Sequence, residues 1–153
     1  NIVHYVKDRY NLLIGESHAE EIKIRIGSAK EVGEPLVFNL RGRDLVTGLP
    51  REIAITDIEV REALSRSVWS IIDAIKSVLE VTPPELVADI HDRGIVLSGG
   101  GSLLRGLDQA ISAATEIPVR VADDPLTCVV RGTGILIDRP DLLKTVALPS
   151  SSN

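Results

Sequence analysis

The segment Gly94-Ile95-Val96-Leu97-Ser98-Gly99-Gly100-Gly101 limits the possible folds more than any other stretch of this chain. A short, continuous apolar run bounded by glycine is the pattern of a strand buried on both faces. It runs straight into three glycines and then into Leu103, Leu104, Leu107 and Ile111, which form one apolar stripe at helical spacing. Beyond Pro118, Val119 and Val121 read as a second short strand, and Pro125 opens a helix carrying Val129, Val130 and Leu136. Helix, strand, helix, strand, helix in that order predicts an α/β layer with a parallel strand pair.

The first half has a different rhythm. Ile2, Val6, Tyr10 and Leu13 recur at near-helical spacing, so residues 2–13 read as a helix stopped by Gly15. A second helix follows, with Ser17 and Glu20 at capping-box spacing, Ala19, Ile22 and Ile26 as its stripe, and Gly27 as its stop. Residues 35–41 and 51–56 alternate apolar and polar around Thr47-Gly48-Leu49-Pro50, which predicts a β-hairpin.

Over residues 57–81, Val60, Leu64, Val68, Ile71, Ile75 and Val78 step by three or four along one side of a long helix begun by a Thr56/Glu59 capping box. On its polar side Glu62 and Arg66 form a solvated pair worth roughly 0.2–0.5 kcal/mol. Thr82 as N-cap and proline at the first turn start a short helix reaching about residue 90. The tail from Leu148 is Ser-rich and expected to fray.

Composition narrows the function. The 153 residues are 44% hydrophobic, enough for one compact domain or two small subdomains sharing a core. Net charge is −5 and the basic residues are scattered, which argues against a nucleic-acid surface. No apolar run approaches the roughly 20 residues needed to span a bilayer, and the first residues lack signal-peptide character. A soluble chain is expected. The single Cys128 suits a reducing compartment and reads as a small buried hydrophobe. His4, His18 and His91 stand apart from any partner for catalysis or zinc, and Asp124 reads as the N-cap of the last helix. With no Met and an opening inside an apolar-faced helix, the chain is expected to be a piece of a longer protein.

Two segments could hold a ligand. Three glycines let backbone approach a ligand closely and adopt positive φ, although the pattern is neither a dinucleotide fingerprint nor a P-loop, and a tight turn without ligand is the competing reading. In Glu20-Glu21-Ile22-Lys23, Glu20 and Lys23 share a helix face and could bond a base edge or a ribose hydroxyl. Locally, a solvated ion pair is the commoner outcome of that spacing.

Seven blocks give a specific resemblance: Tyr10-Asn11-Leu12-Leu13-Ile14-Gly15-Glu16, Ala19-Glu20-Glu21-Ile22-Lys23, Ile26-Gly27-Ser28-Ala29, Arg41-Gly42-Arg43-Asp44-Leu45, Pro83-Pro84-Glu85-Leu86, residues 93–101, and Asp124-Pro125-Leu126-Thr127-Cys128. In this order, over residues 1–138, the chain resembles MreB, the bacterial rod-shape-determining actin homologue. The resemblance implies the actin and Hsp70 fold, in which two lobes close on ATP and Mg²⁺, and a cytoskeletal protein that polymerises and organises wall synthesis in rod-shaped cells.

On that basis residues 15–82 would form the smaller inserted subdomain. Residues 1–14 and 83–145 would belong to the larger RNase H-like one, and residues 146–153 would be a disordered tail. Gly99, Gly100, Gly101, Ser102 and Leu103 resemble the family's adenosine motif, and Glu20, Glu21, Ile22 and Lys23 its other adenosine-side segment. The phosphate loops and metal-holding acids lie upstream in the family, so Mg²⁺ would come through that other half and this piece would not hydrolyse ATP alone. Partners implied are further copies of the subunit, the first lobe of the same protein and the wall-elongation machinery. The resemblance places the parent in the cytoplasm, with membrane contact only through the first lobe. The alternatives are a ligand-free protein-interaction module and a lobe of another ATPase of the actin/Hsp70 superfamily.

Overall fold

The computed structural model describes residues 1–146, so the expected tail lies, apart from Val146, outside the described residues. One helix, α3 (Asp57–Val81), organises the fold. At 25 residues it is about 37 Å long, enough to serve two cores. Its first half packs Val60 and Leu64 into a cluster with Ile22, Ile26, Leu40 and Ile55; its second half packs Val68 and Ile72 against Leu107 and Ile111. The predicted capping box is present, with Glu59 N donating to Thr56 Oγ1 (3.3 Å) and Thr56 N to the Glu59 carboxylate (2.9 Å). The stripe differs from expectation beyond Val68. Strict four-residue steps select Ile72 as the buried position, while Ile71 and Val78 are exposed.

α1 (Ile2–Tyr10) is shorter than predicted. Asn11 takes the left-handed conformation (φ 51°), closes the helix through its N–H to Lys7 O, and frees β1 (Leu12–Leu13) to pair antiparallel with the hairpin. α1 buries Ile2 and Val6 in the first cluster and lies along α3 through three polar contacts. Tyr5 Oη donates to Glu62 Oε2 at 2.9 Å, Tyr10 Oη donates to Glu59, and Asn1 Nδ2 donates to Ser67. The side of α3 expected to be solvated is therefore the docking face of α1, and Glu62 serves Tyr5 instead of the predicted pair with Arg66. Burial, reinforced by the Glu62 acceptor, pushes the Tyr5 hydroxyl up to about 12.

α2 (Glu16–Ile26) starts at Gly15 without a side-chain cap, so the predicted Ser17/Glu20 box does not form. The hairpin is present as β2 (Val37–Asp44) and β3 (Pro50–Thr56), in register from Val37↔Thr56 to Arg43↔Pro50. Inward-facing Leu40 and Ile55 are fully buried, as the alternation requires. Gly42 is needed where β1 crosses, because a Cβ there would sit 2.5 Å from Leu13 O. At the tip, the buried Asp44 carboxylate accepts Arg51 Nη1 (2.8 Å), Val46 N (2.8 Å) and Thr47 N (3.0 Å). Arg51 first, then those two amides, hold its pKa down at about 2.

In the second half α4 (Pro84–Arg93) has Pro83 as its N-cap, while Thr82 closes α3 by donating Oγ1 to Val78 O. The parallel pair is formed by β4 (Ile95–Leu97) and β5 (Val119–Val121), in register from Ile95↔Val119 to Leu97↔Val121. One face packs on α5 (Leu107–Thr115); Val96, expected to be buried, is 46% exposed on the other. Gly94 joins α4 to β4 at φ +80°, with Pro118 O directly beside its α-carbon. The last helices are α6 (Cys128–Asp138) and α7 (Pro140–Val146). α6 starts three residues later than predicted, with Thr127 as its N-cap. Asp124 is instead a positive-φ turn residue that accepts the Thr127 hydroxyl, and Cys128 is only half-buried.

Candidate functional site

After β4 the glycines do not lead directly into α5. Gly100–Leu103 forms a 3-10 turn, and Leu104-Arg105-Gly106 separates it from the helix. Gly99 has φ +82°, and its N–H donates to Pro125 O at 2.7 Å. Added Cβ atoms at Gly99 and Gly101 would meet nothing within 4 Å, and one at Gly100 would meet only Leu126 Cδ2, at 3.3 Å. The glycines therefore present bare backbone to open space, which is what a flat ligand approaching the chain requires. Ser102 is buried and holds the turn shut, its Oγ donating to Gly99 O at 2.6 Å and its N–H to the same oxygen at 3.2 Å. Leu103 is exposed beside it.

The four residues of α2 fall on three different surfaces. Glu20 and Lys23 form the i,i+3 ion pair, 2.7 Å apart and partly exposed. Ile22 is fully buried in the first core, so it anchors the segment. Glu21 turns toward the hairpin, where it lines a cleft of about 410 Å³ with His18, Phe38, Asn39, Arg41 and Glu52.

What joins the glycine turn to α2 is a connection that sequence reading missed. α2 ends at the buried Gly27, whose N–H bonds Lys23 O and whose α-carbon lies against that carbonyl too closely for any side chain. Ser28 then pairs with Arg105 in an isolated parallel bridge. Ala29 N donates to Arg105 O (2.8 Å), and Arg105 Nε donates to Gly27 O (3.1 Å). Segments some 78 positions apart are thus fastened just after the 3-10 turn. The residues after β5 supply a third wall, with Pro125 O on Gly99 N and Leu126 over Gly100. No local signal marked Arg105, and Pro125 read only as a helix opener and part of a family block, because each acts here through contacts with distant sequence.

The turn offers bare backbone, and α2 carries a partly exposed carboxylate–ammonium pair. Among the described residues no group of three His, Cys, Asp or Glu side chains could hold a metal ion.

Comparison with known proteins identifies the fold. A family model described as MreB/Mbl protein matches residues 1–145. Cell shape-determining protein Mbl of Bacillus subtilis (strain 168) is 49% identical over 142 residues, 93% of this chain and 43% of that protein. Cell shape-determining protein MreB of Escherichia coli (strain K12) is 47% identical over 141 residues, 92% of this chain and 41% of that one. Among solved structures, MreB5 of Spiroplasma citri bound to ADP superposes with a TM-score of 0.89 at 36% identity, covering 95% of this chain and 44% of that one. The MamK double helical filament shares the fold, with a TM-score of 0.74 at 23% identity over 95% of this chain and 42% of that one. The chain spans less than half the length of these relatives. Matched along nearly all its length by the family model, by curated relatives and by an actin-like structure, it belongs to the MreB/Mbl family.

Proposed function

We propose that this chain is the adenosine-binding lobe of an ATP-dependent, actin-like cytoskeletal protein that polymerises and determines rod shape by organising wall synthesis. The observation that carries the reading is the Ser28–Arg105 bridge, which ties the end of the helix that bears Glu20 and Lys23 to the residues that follow the open Gly99–Gly101 turn. Solved MreB5 structures carry ADP and AMPPNP, which supports a nucleotide as the ligand. Base and ribose would lie over the glycines, with Glu20 and Lys23 as polar partners. Phosphates, Mg²⁺ and hydrolysis would belong to the other lobe of the parent.

Several surfaces fit that incompleteness. Val96 on β4 and Val129, Val130, Ile135 and Ile137 on α6 are exposed apolar side chains, as expected where another lobe packs. Residues 15–82 and 1–14 with 83–145 would be its two subdomains. Self-association into filaments, contact with the wall-elongation machinery, and a cytoplasmic, membrane-associated location complete the proposal. No described helix is long and apolar enough to cross a membrane; membrane contact would come through the first lobe.

Gly101→Val in the full-length parent is the test. The position has open space and ordinary φ, so the fold should tolerate the branched side chain while the ligand surface fills. Nucleotide affinity should fall by roughly tenfold or more, about 1.4 kcal/mol, with the melting temperature of the nucleotide-free protein unchanged. Unchanged affinity would refute the site. A second reading, a protein-interaction module without ligand, has support from the apolar hairpin tip at Leu45, Val46 and Leu49. It predicts that ATP leaves the melting temperature where it was, since only a ligand of the folded state raises it.

A further inference from the structure

The glycine turn has few holds on the body of the protein. Ser102 closes it on itself through two bonds to Gly99 O, and Leu103 is exposed. Side chains added at Gly99 and Gly101 would meet nothing within 4 Å. Gly99 N on Pro125 O ties one end, and Leu104 holds the other. Its N–H donates to Gly101 O at 3.2 Å, ending the turn, and its carbonyl accepts Leu107 N at 3.1 Å, opening α5. Extended backbone between the two bonds (φ −62°, ψ 121°) fixes the direction of its side chain from both sides.

That side chain packs against both hydrophobic cores. The first contains Ile22 and Ile26, which seat α2, and the second contains Ile72 and Ile111. Among the described residues no other partly buried apolar side chain packs against both. Arg105, next in the chain, bonds the backbone of Gly27 and Ala29, past the turns of α2 that carry Glu20 and Lys23. The apolar contact of Leu104 reaches the core that Ile22 anchors between those two residues. Interiors packed as densely as molecular crystals transmit a displacement at such a point instead of absorbing it.

We propose that Leu104 is a positioning residue for the nucleotide: its side chain sets the glycine turn against α2, so that a base and ribose over the glycines meet Lys23. This role rests on the nucleotide reading above and adds the residue that brings the two halves of that site into register.

Leu104→Ala in the full-length parent removes the side chain and leaves the backbone bonds of Leu104 and all those of Arg105 available. ATP affinity should fall by roughly tenfold, because segments out of register must be ordered again on binding. Ile72→Ala opens a cavity in the second core alone, so it should lower the melting temperature and leave affinity within about twofold of wild type. Leu104→Met, close in volume, should keep wild-type affinity. A double-mutant cycle with Lys23→Ala separates positioning from a merely structural role. If Leu104 brings Lys23 to the ligand, Lys23→Ala costs affinity in the wild type and little more once Leu104 is truncated, well short of the roughly hundredfold loss that independent effects would multiply to. Wild-type affinity in Leu104→Ala or in Lys23→Ala, an equal loss in Ile72→Ala, or losses that multiply would each overturn the role of Leu104. Gly101→Val distinguishes the two levels: lost affinity there beside wild-type affinity in Leu104→Ala removes this role alone, and wild-type affinity in both removes the nucleotide site with it. Should Leu104→Ala not fold, Leu104→Val carries the same cycle with a smaller expected loss, about threefold.

Discussion

Replacing Arg105 by Met tests how the candidate site is assembled. Met keeps most of the apolar stem and removes the Nε donor to Gly27 O, while the Ala29–Arg105 backbone bond remains available. A hydrogen bond from a charged donor contributes about 1.5–3 kcal/mol, and the carbonyl it leaves behind belongs to buried Gly27, so a loss of about 2 kcal/mol is expected. For a parent more than twice this chain's length each kcal/mol moves the midpoint by roughly 1–2 °C, so the melting temperature should fall by about 2–4 °C. Circular dichroism melts of the full-length parent, with and without ATP, measure both consequences. If the bridge positions α2 against the glycine turn, the ATP-induced rise must also shrink, because loosened segments must be ordered again when the ligand binds. A melting temperature within 1 °C of wild type would refute the energetic argument. A lower melting temperature with an undiminished ATP increment would show that the bridge supports the fold without shaping the site.

Two further predictions concern the frame. Gly94→Ala combines a left-handed φ with a Cβ 2.6 Å from Pro118 O, a backbone atom that cannot swing away, so urea unfolding should show a loss of at least about 1–2 kcal/mol; wild-type stability would mean that the α4–β4 junction shifts freely. Asp44, held down at about 2 by Arg51 and two amides against an ordinary value near 3.8, contributes stability that is present above pH 4 and lost as the pH falls toward 2. The stability gap between wild type and Asp44→Asn should therefore close over that window in acid titrations. A gap that stays constant would show that the charge of Asp44 contributes nothing.

Much of the architecture is legible in local pattern because local physics decides it. α3, its capping box, the hairpin and the parallel pair were all predictable, since periodicity and turn residues fix which side chains a helix or strand can bury together. Misreadings occurred where a neighbour outweighed local preference. Asn11 ended α1 early because β1 had an edge strand to join, and Glu62 turned to Tyr5 because α1 lay across that face. Cys128 was expected inside, yet it is only half-buried at the start of α6, against the Asp123-Asp124 turn.

The site divides in the same way. The glycine turn and the Glu20–Lys23 pair stand out in the sequence, because Gly at three successive positions and opposite charges at i,i+3 carry their physics with them. Only the tertiary structure decided that Ile22 anchors the segment, that Glu21 faces another cleft, and that Ser102 locks the turn. Only there do Arg105 and Pro125 join the candidate site. Sequence records what each residue can do with its near neighbours; contacts between residues some 78 positions apart exist only once the chain has closed on itself.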